Sequence, residues 1–234
     1  MKVKPIIFNT EMVKALLDGR KTVTRRPVKL SKHSLKQGVT LKDIVKVCRS
    51  KEDHLFSAVL NNNFDHVGTF SVPFRVGDLL YVRETFRLYN NSDECGCSDH
   101  CSCPPTGTPL YFSTHNDGES KWKPSIHMPR SISRITLKVT DVRIEKLNDL
   151  RKSDEQVKKE GFDSWPQFKH VWESIYGQSK PNDYVWVIEF EVIHQNVDKY
   201  LSSKLFTRTS ISTFLHCLFR SDSYEQETSS VDCY

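Results

Sequence analysis

Long hydrophobic runs are missing from this 234-residue chain. None approaches the roughly 18 apolar residues of a membrane span, so no transmembrane helix is expected. The opening MKVKPIIFNTEMV has an apolar patch but no h-region and no small-residue cleavage site. No signal peptide is therefore expected, and the cytoplasm is the expected compartment. There are no internal repeats. Acidic residues are scarce at the start: up to Lys51, only Glu11, Asp18 and Asp43 stand against fourteen Lys or Arg. Such a stripe fits contact with phosphates, and it equally fits a solvated surface. Acidic residues from Asp141 to Asp163 offset much of this excess, and the net charge is only +5, which excludes a histone-type binder.

What is present is the composition of a soluble globular protein, 37% hydrophobic and 27% charged, long enough for one sizeable core with decorations or two small domains. FNTEMVKALLDGRKT predicts a helix capped by Thr10, with Met12, Val13, Leu16 and Leu17 as its apolar stripe and Gly19 as its C-terminal cap. KTVTRRPV alternates like a strand ending at Pro27. Residues 30–72 read ambiguously. FRVGDLLYVRETF then predicts a Gly77-Asp78 turn and a strand. SRITLKVTDVRIEKL is the best strand, with Ile135, Leu137, Val139 and Val142 on or near one face. SDEQVKKEGF and SWPQFKHVWESIYG predict two short helices. Ser153 and Ser164 are their candidate caps, and Phe168, Val171, Trp172 and Ile175 the buried stripe of the second. DYVWVIEFEVI predicts a central strand. The expected class is thus mainly β with peripheral helices (α+β), one domain over residues 1–194 carrying a cysteine-rich insert at 90–109. Residues 195–234 form an appendage. Within it Ile211, Phe214, Leu215, Leu218 and Phe219 fall on one helical face, able to dock on the domain or on a second copy, before a disordered end.

Three constellations could carry chemistry. In GRKTVTRR, a desolvated Lys21 in the field of Arg20, Arg25 and Arg26 would have a lowered pKa and could deprotonate Thr24 or a water. From composition alone a Lys-x-x-Thr is a surface feature. In ECGCSDHCSC, Cys95, Cys97, Cys101 and Cys103 lie within nine residues and favour a structural zinc. C-x-C-x3-C-x-C is not the usual knuckle, so disulfides or an unliganded loop stay open. No His and carboxylate set accompanies it, which argues against a catalytic metal. In KWKPSIHMPRSISR, Trp122 and His127 offer flat faces and Arg130 a phosphate contact, although Trp122 and Met128 could instead plug the core. Glu84 either points into a cleft or pairs with Arg83 or Arg87. Trp165, Trp172 and Trp186 are expected in the core. Cys48, Cys217 and Cys233 are scattered and expected to be inert.

ALLDGRKTVTRR, followed by VGDLLYVRE and a late VWVIEFEVI, resembles the ASCH family, which shares the PUA-like β-barrel. The likeness covers roughly residues 4 to 194. KPIIFNTEMVKALLDGRKT, KPSIHMPRSISRITLKVTDVR and SIYG are most similar to stretches of phage and prophage ASCH proteins. One branch of the superfamily, the bacterial N4-acetylcytidine amidohydrolases, uses a Lys, a Thr and a Glu. The resemblance carries these onto Lys21, Thr24 and Glu160, the last in EQVKKEGF. It implies a PUA-like barrel that binds a nucleoside or RNA and hydrolyses an N-acylated base without a catalytic cofactor. Arg20, Thr22, Arg25, Arg26, Glu84, Trp122, His127 and Arg130 would contact the substrate. The same family also implies two alternatives, a non-enzymatic RNA-binding or phage-associated regulatory module and a ribonuclease.

Overall fold

The structure is a computed structural model that describes residues 1–29, 44–49, 56–60, 66–70, 72–97, 102–178, 180 and 183–204, with the segments 44–49, 56–60 and 66–69 described by backbone alone. In chain order the elements are β1 (Val3–Ile7), α1 (Thr10–Leu17), β2 (Val23–Pro27), β3 (Ile44–Arg49), β4 (Phe56–Leu60), β5 (His66–Thr69), β6 (Leu79–Arg83) and β7 (Phe86–Leu88). There follow α2 (Asn91–Glu94), β8 (Pro109–Tyr111), α3 (Phe112–His115), β9 (Thr136–Lys146), α4 (Asp154–Lys159), α5 (Trp165–Tyr176) and β10 (Tyr184–Ile193). A last helix covers residues 197–204. No helix among the described residues is long and apolar enough to cross a membrane.

Five strands form the main sheet in the order β1-β6-β9-β10-β2, parallel between β1 and β6 and antiparallel elsewhere. Strands β3, β4 and β5 make a separate sheet, and β7 with β8 a hairpin-like pair. The expectation of strands with peripheral helices holds as a mixed sheet with helices. The sheet is open among the described residues, with β1 and β2 as its edges and no ladder closing it into a barrel.

The interior strand β10 explains the layering. Alternate residues of β10 bury on opposite faces. Trp186, Ile188 and Phe190 join a cluster with Phe8, Leu16, Leu80, Val82, Leu137, Val139 and Val142. Val185 and Val187 join Val23, Leu150, Val157, Phe162, Phe168 and Trp172, which brings α4 and α5 onto the other face. Val139 and Val142 have opposite parity yet share a cluster, because the β9–β10 register shifts between Glu189 and Phe190, which face Asp141 and Val139. That bulge inserts Thr140 and turns the strand's apolar set over.

Several local expectations are refined. The N-cap of α1 is Asn9, whose side chain accepts from the Met12 amide at 2.9 Å, and Thr10 is the first helical residue. An Asn side chain reaches the orphan amide just as a Thr hydroxyl would. Ser153 caps α4 as expected, whereas Ser164 precedes α5 without a side-chain bond. Ile175 is not in the buried stripe of α5: it is 45% exposed. The Gly77-Asp78 turn is fastened by Asp78, which accepts from the Lys2 amide at 2.8 Å and the Arg75 amide at 3.1 Å and pairs with Lys4. Trp186 and Trp172 are core residues, and Trp165 packs at the margin of the second cluster.

The chain does not leave the fold at His194. The Asn196 side chain donates to the carbonyls of Arg130, Ser131 and Ser133, and Val197 is fully buried. The boundary read from the sequence falls inside these contacts. The stripe from Ile211 to Phe219 lies outside the described residues, as do Cys217 and Cys233.

Candidate active site

The loop from α1 into β2 carries Lys21 inward. Its amide donates to the Ala15 carbonyl at 3.0 Å, which folds the loop back beneath the helix it has just left. The next amide, Thr22, donates to the Lys159 carbonyl at 2.9 Å, and the Thr22 carbonyl accepts from Phe190. The end of α1, the end of α4 and β10 therefore meet at Lys21. Its side chain is completely buried, and its Nζ donates to the Glu160 carbonyl at 2.7 Å and to Glu160 Oε2 at 2.8 Å.

Glu160 ends α4 and is followed by Gly161 at φ +88°. A β-carbon at Gly161 would lie 2.7 Å from the Ala15 β-carbon and 3.3 Å from that of Lys21. Only glycine allows α4 to come this close while turning left-handed. The other oxygen of Glu160 accepts from Arg25 at 3.1 Å, and Arg25 reaches on to Glu145 at 3.1 Å. The result is a chain of two cations and two carboxylates running Lys21, Glu160, Arg25, Glu145, buried over its first three members and partly exposed at Glu145.

Burial pushes the Lys21 amine below its ordinary value. The Glu160 carboxylate and its hydrogen bond oppose that shift, and the positive charges of Arg26 and Arg25 add to it. Thr24 is also buried, one residue before Arg25 in β2, but among the described residues no hydrogen bond joins its hydroxyl to Lys21 or Glu160. Of the three residues singled out, Lys21 and Glu160 are brought together; Thr24 is a neighbour outside their hydrogen-bond network.

A cleft of about 610 Å³ opens on the far side of Phe8, between the end of β1, the start of α1 and the end of α5. Lys21 Nζ stands 5.5 Å from the centre of the Phe8 ring, and Arg26 lies over the same ring at 5.4 Å. Arg26 lines this cleft, donating to the Tyr176 hydroxyl at 2.6 Å and to the Ile7 carbonyl at 2.9 Å. The sequence reading missed Arg83, Phe74 and Tyr176 as lining residues. The only signal for Arg83 was its place at the end of a strand, which does not reveal the neighbouring strand.

The other expected substrate contacts are dispersed. Arg20 is at the surface, held by Asp18 and the Gly161 carbonyl. Glu84 is buried and takes neither of its anticipated roles: it receives a two-pronged bond from Arg134, at 2.9 and 3.0 Å, and one from Ser113 at 2.7 Å. Trp122 packs edge-on against Phe112 with Arg87 over its ring. His127 is exposed, and Arg130 pairs with Asp198.

In the insert, the sulfur atoms of Cys95, Cys97 and Cys103 all lie within 4.8 Å of one another, a spacing that suits a metal ion. The Tyr89 hydroxyl bonds to Cys103, and this bond, with burial and the nearby thiols, pushes the phenol up to about 12. Cys101 and His100 lie outside the described residues.

No family model, curated protein or solved structure matches this chain. Its function is therefore argued from the site's own chemistry.

Proposed function

We propose that the chain binds a nucleoside or an RNA end in the cleft and hydrolyses an N-acyl group from the base, as an ASCH-type domain of PUA-like descent. The observation that carries this reading is the Lys21–Glu160 pair, a fully buried amine with a lowered pKa bonded to a carboxylate behind the wall of an aromatic, arginine-lined cleft. A neutral Lys21 would take a proton from Thr24 or from water as oxygen attacks the amide carbonyl. Glu160 would pass a proton to the departing amine of the base. Water is consumed, and a carboxylic acid and the unmodified base are released. Phe8, which touches both Lys21 and the cleft, would have to shift for the acyl carbonyl to reach the amine.

A second reading, a binding module without turnover, is favoured by the enclosure of the Lys21 amine, which Glu160 engages twice. Incubation with N4-acetylcytidine, other N-acyl nucleosides and RNA, followed by mass spectrometry, separates the readings. Loss of the acyl group by wild type and its absence in Lys21→Met supports hydrolysis. Binding with every ligand recovered intact supports the module, and chain cleavage would point to a ribonuclease.

The three clustered thiols support a structural zinc in the insert, with Cys101 supplying the sequence's fourth thiolate. Metal analysis of protein purified without added zinc should find about one equivalent. Its absence, with all four thiols alkylated in the native protein, would remove the site.

A further inference from the structure

Two arginines in the cleft have no carboxylate partner among the described residues. Arg26 bonds to the Tyr176 hydroxyl and the Ile7 carbonyl, and Arg83 bonds to the Ile126 carbonyl. All three acceptors are neutral. Elsewhere in the described structure Arg20, Arg25, Arg87, Arg130, Arg134 and Arg143 each pair with Asp or Glu, while Arg75 and Arg151, both exposed, pair with neither. The described lining of the cleft contains no acidic residue at all.

The strand register brings the two guanidinium-bearing residues to one place. Ile7, whose carbonyl holds Arg26, is the residue paired with Arg83 across the parallel β1–β6 ladder. Both arginines are therefore tied to Ile7 at the end of β1, and both line the cleft. Arg83 also has a buried Nε–H with no acceptor. A buried donor is seldom left unmatched, and a guanidinium's planar fork suits the oxygens of a phosphate. Aromatic side chains of Phe74 and Tyr176 line the same cleft and offer faces for a base.

We propose that Arg26 and Arg83 form a phosphate subsite in this cleft, so that the ligand is a nucleotide or RNA and not a free nucleoside. The inference rests on the reading that the cleft takes a nucleobase, and it adds the charge that the ligand must carry. The phosphate is either a terminal monophosphate or a backbone phosphodiester, two sources of the same chemistry.

The test is a binding titration of the full chain with the four common nucleosides, their 5′-monophosphates, inorganic phosphate, and a short single-stranded RNA without a terminal phosphate. At least one monophosphate, or the RNA, should bind tenfold or more tightly than its nucleoside. Arg83→Gln and Arg26→Gln should each remove most of that margin, read as the ratio of phosphorylated-ligand to nucleoside affinity in the same variant. Arg83→Lys keeps the charge and should retain part of the margin, and thermal melts establish that each variant is folded. A margin seen with the monophosphate assigns the terminal source; one confined to RNA assigns the backbone. Equal affinity for nucleosides and phosphorylated ligands overturns the subsite and leaves the base-binding reading standing. Arginine-dependent binding of inorganic phosphate with no binding of any nucleoside or nucleotide keeps the subsite and overturns the base-binding reading. Binding of none of the probes overturns both.

Discussion

Lys21 is a cation placed where water cannot reach it, and its proton is held in a contest between burial and Glu160. Breaking a buried pair by removing one member typically costs about 3–5 kcal/mol, because the other charge is left behind. Here Arg25 stays on Glu160, so Lys21→Met should sit at the low end of that range. The pH dependence is more diagnostic. A lysine whose pKa is lower in the folded state binds fewer protons there than when unfolded. Its contribution to stability therefore rises with pH, from the folded value up to the ordinary 10.5. The stability of wild type relative to Lys21→Met should grow as pH is raised from 7 towards 10, read from urea midpoints at each pH. A difference that is flat or shrinks would show that the buried amine keeps its ordinary affinity for a proton. The residues alone left Lys21 between a surface charge and a desolvated base, since nothing local marks a lysine that folds inward.

At the scale of elements, the site depends on how α4 ends. Ser153 starts this helix and Glu160 with Gly161 stops it against α1, so the helix terminus and the carboxylate that holds Lys21 are one structural event. Gly161→Ala would demand a left-handed alanine, costing about 1–2 kcal/mol, and would press a methyl group into Ala15, with overpacking of about 1–3 kcal/mol. A loss of about 2–5 kcal/mol is expected by chemical denaturation. Adding Ala15→Gly should make the double variant less destabilised than the sum of the two singles, since it removes one of the colliding methyls. Additive losses would mean that α4 shifts away, with Lys21 and Glu160 parted as a result. The bulge in β9 makes a related point. A strict alternation read from SRITLKVTDVRIEKL cannot put both Val139 and Val142 in one cluster; the inserted Thr140 does.

For the whole molecule, the question is where the domain stops. Asn196 ties residues just past β10 to the segment before β9, and Val197 buries beside it. The two N–H groups of the Asn196 amide, at about 0.5–1.5 kcal/mol per hydrogen bond, and one valine at about 1.5–3 kcal/mol are at stake. A chain ending at His194 should be less stable by about 2.5–6 kcal/mol than one ending at Lys204. The chain ending at Lys204 should keep ligand binding, as read by the same titrations. Equal urea midpoints for the two truncations would show that residues 195–204 add nothing to the fold. The basic excess before Lys51 belongs to this scale too. Part of it, Lys21 and Arg25, is spent on internal pairs, while Arg26 faces the cleft.

The longest elements and most of their apolar faces could be read from the sequence, while residues 30–72, which hold β3, β4 and β5, could not. The periods of β9, β10 and α5, the turn at Gly77-Asp78 and the cap at Ser153 were all legible, because alternation, helical spacing and turn chemistry are local properties of the chain. The sequence also marked Lys21, Thr24 and Glu160 as one set, although only through resemblance. The tertiary structure alone decided that these two residues, 139 apart in the chain, share a buried hydrogen bond. It decided that Glu84 answers to Arg134, that Ile175 faces outward and that Arg83 and Arg26 line one cleft beside the end of β1. Each of these depends on which strands are neighbours and in what register. Register is set by the collective burial of two clusters on opposite faces of one sheet, and no single stretch of sequence contains that information.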